Sequence, residues 1–133
     1  MSEPMDFWPA DFPSELVETA FWSNEPAWEP HIAAQVVQWL GLHQYAVLGT
    51  ELWVIRGALV NALPIGQTGM REVHGNTVSH RANEPWAAFV SRAASETVLY
   101  LRSFQSGEIV EPGKVHFNVT WVSEEEFEKL VSL

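Results

Sequence analysis

Residues 83–104 read NEPWAAFVSRAASETVLYLRSF, and the architecture is built around them. Trp86, Phe89, Val90, Ala93, Thr97, Tyr100, Leu101 and Phe104 recur at i, i+3, i+4, i+7, i+11, i+14, i+15 and i+18. At 3.6 residues per turn that spacing holds one apolar stripe in register for about five turns. Asn83 is placed to cap the helix, and Pro85 suits its first turn, where a missing N–H costs nothing. Arg92 and Glu96 stand one turn apart on the wet side. A helix this long and one-sided needs an apolar layer to lie on.

The layer is legible on either side. In residues 115–121, VHFNVTW, the apolar Val115, Phe117, Val119 and Trp121 alternate with His116, Asn118 and Thr120. This is the signature of a strand with one core face and one polar face. Ser123 and Glu126 then spell a capping box for a closing helix over Glu124 to Val131. Upstream, Tyr45 to Leu48 and Glu51 to Arg56 read as strands around a turn at Gly49–Thr50, with Leu59 to Leu63 extending the second. Met70 to Arg81 reads as a further strand, broken near Gly75–Asn76. Two N-terminal helices are expected. One is short, from Ser14 to Trp22; the other starts at Pro30, carries a stripe of Ile32, Val36, Trp39, Leu40 and His43, and ends at Gly41. Residues 23–30, with two prolines, read as a connection. The expected class is α+β, a small antiparallel sheet packed by one long helix, with N-terminal helices and a short C-terminal helix. The 133 residues suit a single domain, with residues 1–13 an irregular, proline-rich N-terminal arm.

Charge is distributed unevenly. No lysine or arginine precedes Arg56, whereas residues 1–55 hold Glu3, Asp6, Asp11, Glu15, Glu18, Glu25, Glu29 and Glu51. The net charge is −10, and most of it belongs to this part. Such a surface repels nucleic acid and anionic bilayers, so neither is an expected partner. The chain has no cysteine, and hence no disulfide framework or thiolate metal site. No basic-then-apolar segment opens it, and its apolar runs are short for a bilayer; a cytoplasmic location is the expectation.

Trp8, Trp22 and Trp28 are interleaved with the acids of the first 30 residues, whereas Trp39, Trp86 and Trp121 occupy periodic core positions. Acids steer a basic protein to the surface, and flat aromatics anchor it. Asp11, Glu15, Glu18, Trp22, Glu25, Trp28 and Glu29 are the expected partner-binding residues. A plainer account makes the arm a strap held to the domain by its aromatics.

Catalytic chemistry has less support. Glu72, His74, Asn76 and His80 share a face if residues 70–81 form a regular strand. Convergence of Glu72, His74 and His80 with His116 would make a metal or acid–base site. An ordinary hydrated sheet face explains the same alternation. His31 and His43 lie about 18 Å apart along a helix and cannot share a metal. No serine stands in a nucleophile elbow, and Ile65 to Gly69 lacks the lysine of a phosphate loop. No catalytic residue, metal or cofactor is assigned.

Val47-Leu48-Gly49-Thr50-Glu51-Leu52-Trp53 and Asn83-Glu84-Pro85-Trp86, leading through Phe89-Val90-Ser91-Arg92 to Tyr100-Leu101, resemble segments of the small immunity proteins that bacteria make against polymorphic or contact-dependent toxins. The resemblance covers about a third of the chain. It implies a non-enzymatic protein that binds and neutralises a cognate basic toxin, often a nuclease. A phage-encoded inhibitor of a host nucleic-acid machine, such as an anti-CRISPR, uses the same physics. A small enzyme or ligand-binding domain built on the His/Glu face is the third expectation. An open sheet edge would also permit a homodimer.

Overall fold

The computed structural model describes residues 7–56, 59–62, 75–104 and 114–132. In chain order the elements are α1 (Ser14–Glu18), β1 (Phe21–Ser23), β2 (Glu25–Trp28), α2 (Pro30–Leu42), β3 (Ala46–Arg56), β4 (Leu59–Ala62), β5 (Gly75–Thr77), α3 (Trp86–Ser103), β6 (Lys114–Val122) and α4 (Glu124–Val131). The strands form one antiparallel sheet in the order β1-β2-β6-β3-β4, with β5 also paired to β3. Helices α2 and α3 pack on one face of it, so the α+β expectation holds.

The central pair is β3 with β6, in register from Ala46↔Val122 to Ile55↔Lys114. Here the expected turn at Gly49–Thr50 is absent. A β-bulge between Val47 and Gly49 absorbs the irregularity, and the strand continues through it. The freed Leu48 carbonyl accepts the Val78 N–H at 2.9 Å, which brings β5 alongside. A β-carbon at Gly49 would collide with the Asn76 carbonyl oxygen, so this close approach requires glycine. Residues 59–62 do not extend β3 but turn back as β4. Of the strand expected over 70–81, residues 70–74 lie outside the described residues, Gly75–Thr77 are strand and residues 78–81 are not.

Residues 23–30 are likewise more than a connection. Asn24, at φ 63°, turns the chain between β1 and β2, and the sheet gains a two-stranded edge. Pro26 sits there opposite Trp22. Helix α2 runs past Gly41, because Gly41 serves a crossing and not a cap. A β-carbon there would stand 2.7 Å from the Ala94 β-carbon, and so α2 and α3 can touch backbone to side chain. Asn83 is not the cap of α3 either. It adopts φ 62° in the turn before the helix, and Pro85 is the N-cap. The capping box of α4 is present, with Glu126 N–H bonded to Ser123 Oγ at 3.1 Å and Ser123 N–H to Glu126 Oε1 at 2.8 Å.

Val36, Val37, Leu40, Val98 and Leu101 from the helices meet Trp28, Val47, Leu52, Val54, Phe117 and Val119 from the sheet in the main core. A second cluster joins Ala46, Val78, Phe89, Val90, Ala93 and Val122, with Trp86 and Phe127 against it. Arg92 closes the approach to α3. Its guanidinium makes two 2.8 Å bonds to Glu84 and one of 2.7 Å to the Ser79 carbonyl, in addition to the expected partner Glu96 at 3.0 Å. Glu84 is consequently held down at about 2, mainly by its hydrogen bonds from Arg92.

Candidate interaction surface

The arm is fastened by aromatic contacts. Phe7 meets Trp8, Trp22 and Trp121 edge-on with centroids 5.1, 5.0 and 5.4 Å away. Trp8 stacks on Phe12 at 5.2 Å, and Phe12 meets Trp39 edge-on at 5.0 Å. Alternation along β1 and β2 turns Trp22, Pro26 and Trp28 to the helix side of the sheet, where these rings gather. The plainer account of residues 7–13, as a strap held by its aromatics, matches this packing.

Trp28 is therefore not an exposed anchor. It has no solvent-accessible surface, and its Nε1–H donates to the Leu16 carbonyl at 2.7 Å. A large ring on a strand beside Phe117 goes inward, and the Leu16 carbonyl satisfies its one polar atom. Trp22 is half-buried against Phe7 and Trp8. Trp39, Trp86 and Trp121, expected in the core, are half-buried at its margin, and Trp53 is buried.

Asp11, Glu15, Glu18 and Glu25 are exposed and Glu29 is half-buried. Asp11 sits in a turn at φ 63°, Glu15 and Glu18 on α1, Glu25 beside the hairpin turn, and Glu29 at the N-cap of α2. The ion pairs among the described residues join Arg92 to Glu84 and Glu96, and Lys129 to Glu125. None involves the acids of residues 7–55.

Two of those acids also meet on the far face of the sheet. Glu25 and Glu51, with Thr77, Asn118 and Thr120, line a shallow cleft of about 360 Å³. Glu51 accepts the Trp53 Nε1–H at 2.9 Å, and Asn118 Nδ2 donates to the Pro26 carbonyl at 2.9 Å. Glu51, Asn118 and Thr120 were absent from the expected partner-binding set. The alternation of residues 115–121 was the signal that could have found the last two.

The His/Glu constellation does not assemble among the described residues. His80 lies between Phe89 and Phe127, at 5.0 and 5.3 Å, and its Nε2 bonds to the Glu84 carbonyl at 2.7 Å. His116 sits elsewhere, opposite Trp53 and beside the Phe21 ring at 6.2 Å. Expected on an open polar face, His116 is instead only 9% exposed, and Asn118 5%. Burial lowers the His116 pKa, and the nearby Glu29 charge opposes that shift only in part. Its Nδ1 has no hydrogen-bond partner among the described residues. Glu72 and His74 lie outside the described residues. No group of three His, Asp or Glu able to hold a metal occurs among those described. His43 packs at the end of α2, stacked on Trp39 at 3.8 Å with its Nδ1 on the Trp39 carbonyl at 2.8 Å.

No helix among the described residues is long and apolar enough to cross a membrane. Compared with known proteins, the chain matches no family model, no curated protein and no solved structure.

Proposed function

We propose that this chain is a non-enzymatic acidic binding protein that captures a basic protein partner, in the manner of an immunity protein neutralising a cognate toxin. One observation carries the reading: the N-terminal carboxylates at Asp11, Glu15, Glu18, Glu25 and Glu29 reach solvent, and no ion pair among the described residues engages them. Unpaired acids of one sign raise the encounter rate with a cation-rich surface, and they do so without spending their charge internally. Held by the aromatic strap, α1 and the hairpin present Glu15, Glu18 and Glu25 on fixed backbone, which reduces the ordering cost of binding. Trp22, on β1 of the hairpin, keeps part of its surface open.

Stopped-flow association with the basic product of the adjacent gene tests this. The on-rate should fall as salt rises, because the Debye length shortens to about 8 Å at physiological ionic strength. Reversing Glu15, Glu18 and Glu25 to lysine should slow association by roughly tenfold or more, within the range that electrostatic steering spans. An on-rate indifferent to both changes would remove the reading.

A further inference from the structure

The ladder between β2 and β6 stops short. It pairs Trp28 with Phe117 and Ala27 with Asn118, and Pro26, which has no N–H to donate, ends it. The Pro26 carbonyl accepts the Asn118 side-chain N–H at 2.9 Å. Past that point a recess of about 490 Å³ opens between the hairpin and β6, bordered by the arm and the start of α4. Phe7, Trp8, Tyr45 and Trp121 line it, with Glu25 from the hairpin and Glu126 from α4. The rings brace one another. Phe7 meets Trp8 and Trp121 edge-on at 5.1 and 5.4 Å, and Trp8 lies within 19° of parallel to Trp121 at 6.4 Å. The capping box orients Glu126, whose Oε1 accepts the Ser123 N–H at 2.8 Å. Neither Glu25 nor Glu126 is ion-paired among the described residues, and no lysine or arginine lines the recess.

We propose that this recess receives the guanidinium group of an arginine on the basic protein partner. The assignment rests on the basic-partner reading above and names the place where one of that partner's side chains is held. Two chemistries converge on the same occupant. Carboxylates from two separate elements, with no cation in the lining, attract positive charge. Aromatic rings attract it too, through the negative charge of their π faces. Arginine suits both better than lysine, because its planar fork stacks on rings while its edge offers N–H groups to carboxylates. A neutral apolar side chain would desolvate the two carboxylates without pairing them, and an anion would be repelled. The packed arm and the capping box already fix the rings and Glu126, so little ordering is needed on binding.

Nuclear magnetic resonance titration of the isotope-labelled full chain, at constant ionic strength, is the test. The probe is the peptide acetyl-Gly-Arg-Gly-amide, and its citrulline counterpart replaces the guanidinium by a neutral group of the same shape. The arginine peptide should shift the indole N–H signals of Trp8 and Trp121 and the backbone N–H signals of Glu25, Thr120 and Ser123. The citrulline peptide should leave them in place. Glu25→Gln and Glu126→Gln should each weaken binding by about two- to fivefold, the span of an exposed ion pair. Glutamine also closes a capping box, so α4 is kept in Glu126→Gln, and the spectrum itself reports that each variant is folded. Glu15→Gln, on α1 and outside the recess, should leave the affinity unchanged. Absence of shifts at the recess, an equal response to citrulline, or equal weakening by Glu15→Gln overturns the proposal. The salt dependence of association with the whole partner is a separate measurement, so the wider reading can survive that failure.

Discussion

His116 illustrates how one side chain can be misplaced by pattern and then explained by contact. Alternation puts it on the polar face of β6, but Trp53 lies opposite and the Phe21 ring lies beside it, so the imidazole is buried. Burial disfavours the charged ring and lowers its pKa in the folded chain. In the unfolded chain the ring titrates at its ordinary value near 6.5. The folded state thus binds fewer protons, and its stability is full above that value and declines as pH falls below it. Urea unfolding at pH 7.5 and 5.5 should show a larger loss of stability for the wild type than for His116→Gln. Parallel losses would mean that the imidazole takes up its proton as readily when folded.

At the scale of elements, the crossing of α2 and α3 turns on Gly41. The apolar stripe of α2 was readable from its spacing, as was that of α3. Their contact was not, because a glycine in a helical pattern signals an end as readily as a close approach. The Gly41 β-position lies 2.7 Å from the Ala94 β-carbon, which leaves no room for a side chain. Gly41→Val should therefore push the helices apart and cost about 1–3 kcal/mol by chemical denaturation, as overpacking does. Gain of stability from the better helix former would show that the crossing is loose. The bulge at Leu48 teaches the same lesson in the sheet. Gly49–Thr50 looks like a turn in one dimension, yet β6 and β5 on either side of β3 supply bonding partners that keep the strand continuous.

Over the whole molecule, the excess of negative charge opposes compaction, and the described ion pairs do not offset the acids of residues 7–55. Sodium chloride raised from about 0.02 M to about 0.5 M shortens the Debye length to a few ångströms and should raise the urea midpoint at pH 7. A lower midpoint in salt would indicate that attractive pairs dominate.

Helix periodicity, strand alternation in residues 115–121, the capping box and the one-sided charge were all local properties, written in spacing or composition. They were sufficient for the α+β class, and the acids Asp11, Glu15, Glu18 and Glu25 that they single out are exposed. Which way Trp28 points, that residues 21–28 fold as a hairpin, and that His80 and His116 stay apart depend on partners distant in the chain. The Leu16 carbonyl that satisfies Trp28 and the Pro26 carbonyl that satisfies Asn118 are such partners. Burial of a polar or amphipathic side chain depends on what meets it in space, and that information resides in the packed chain as a whole.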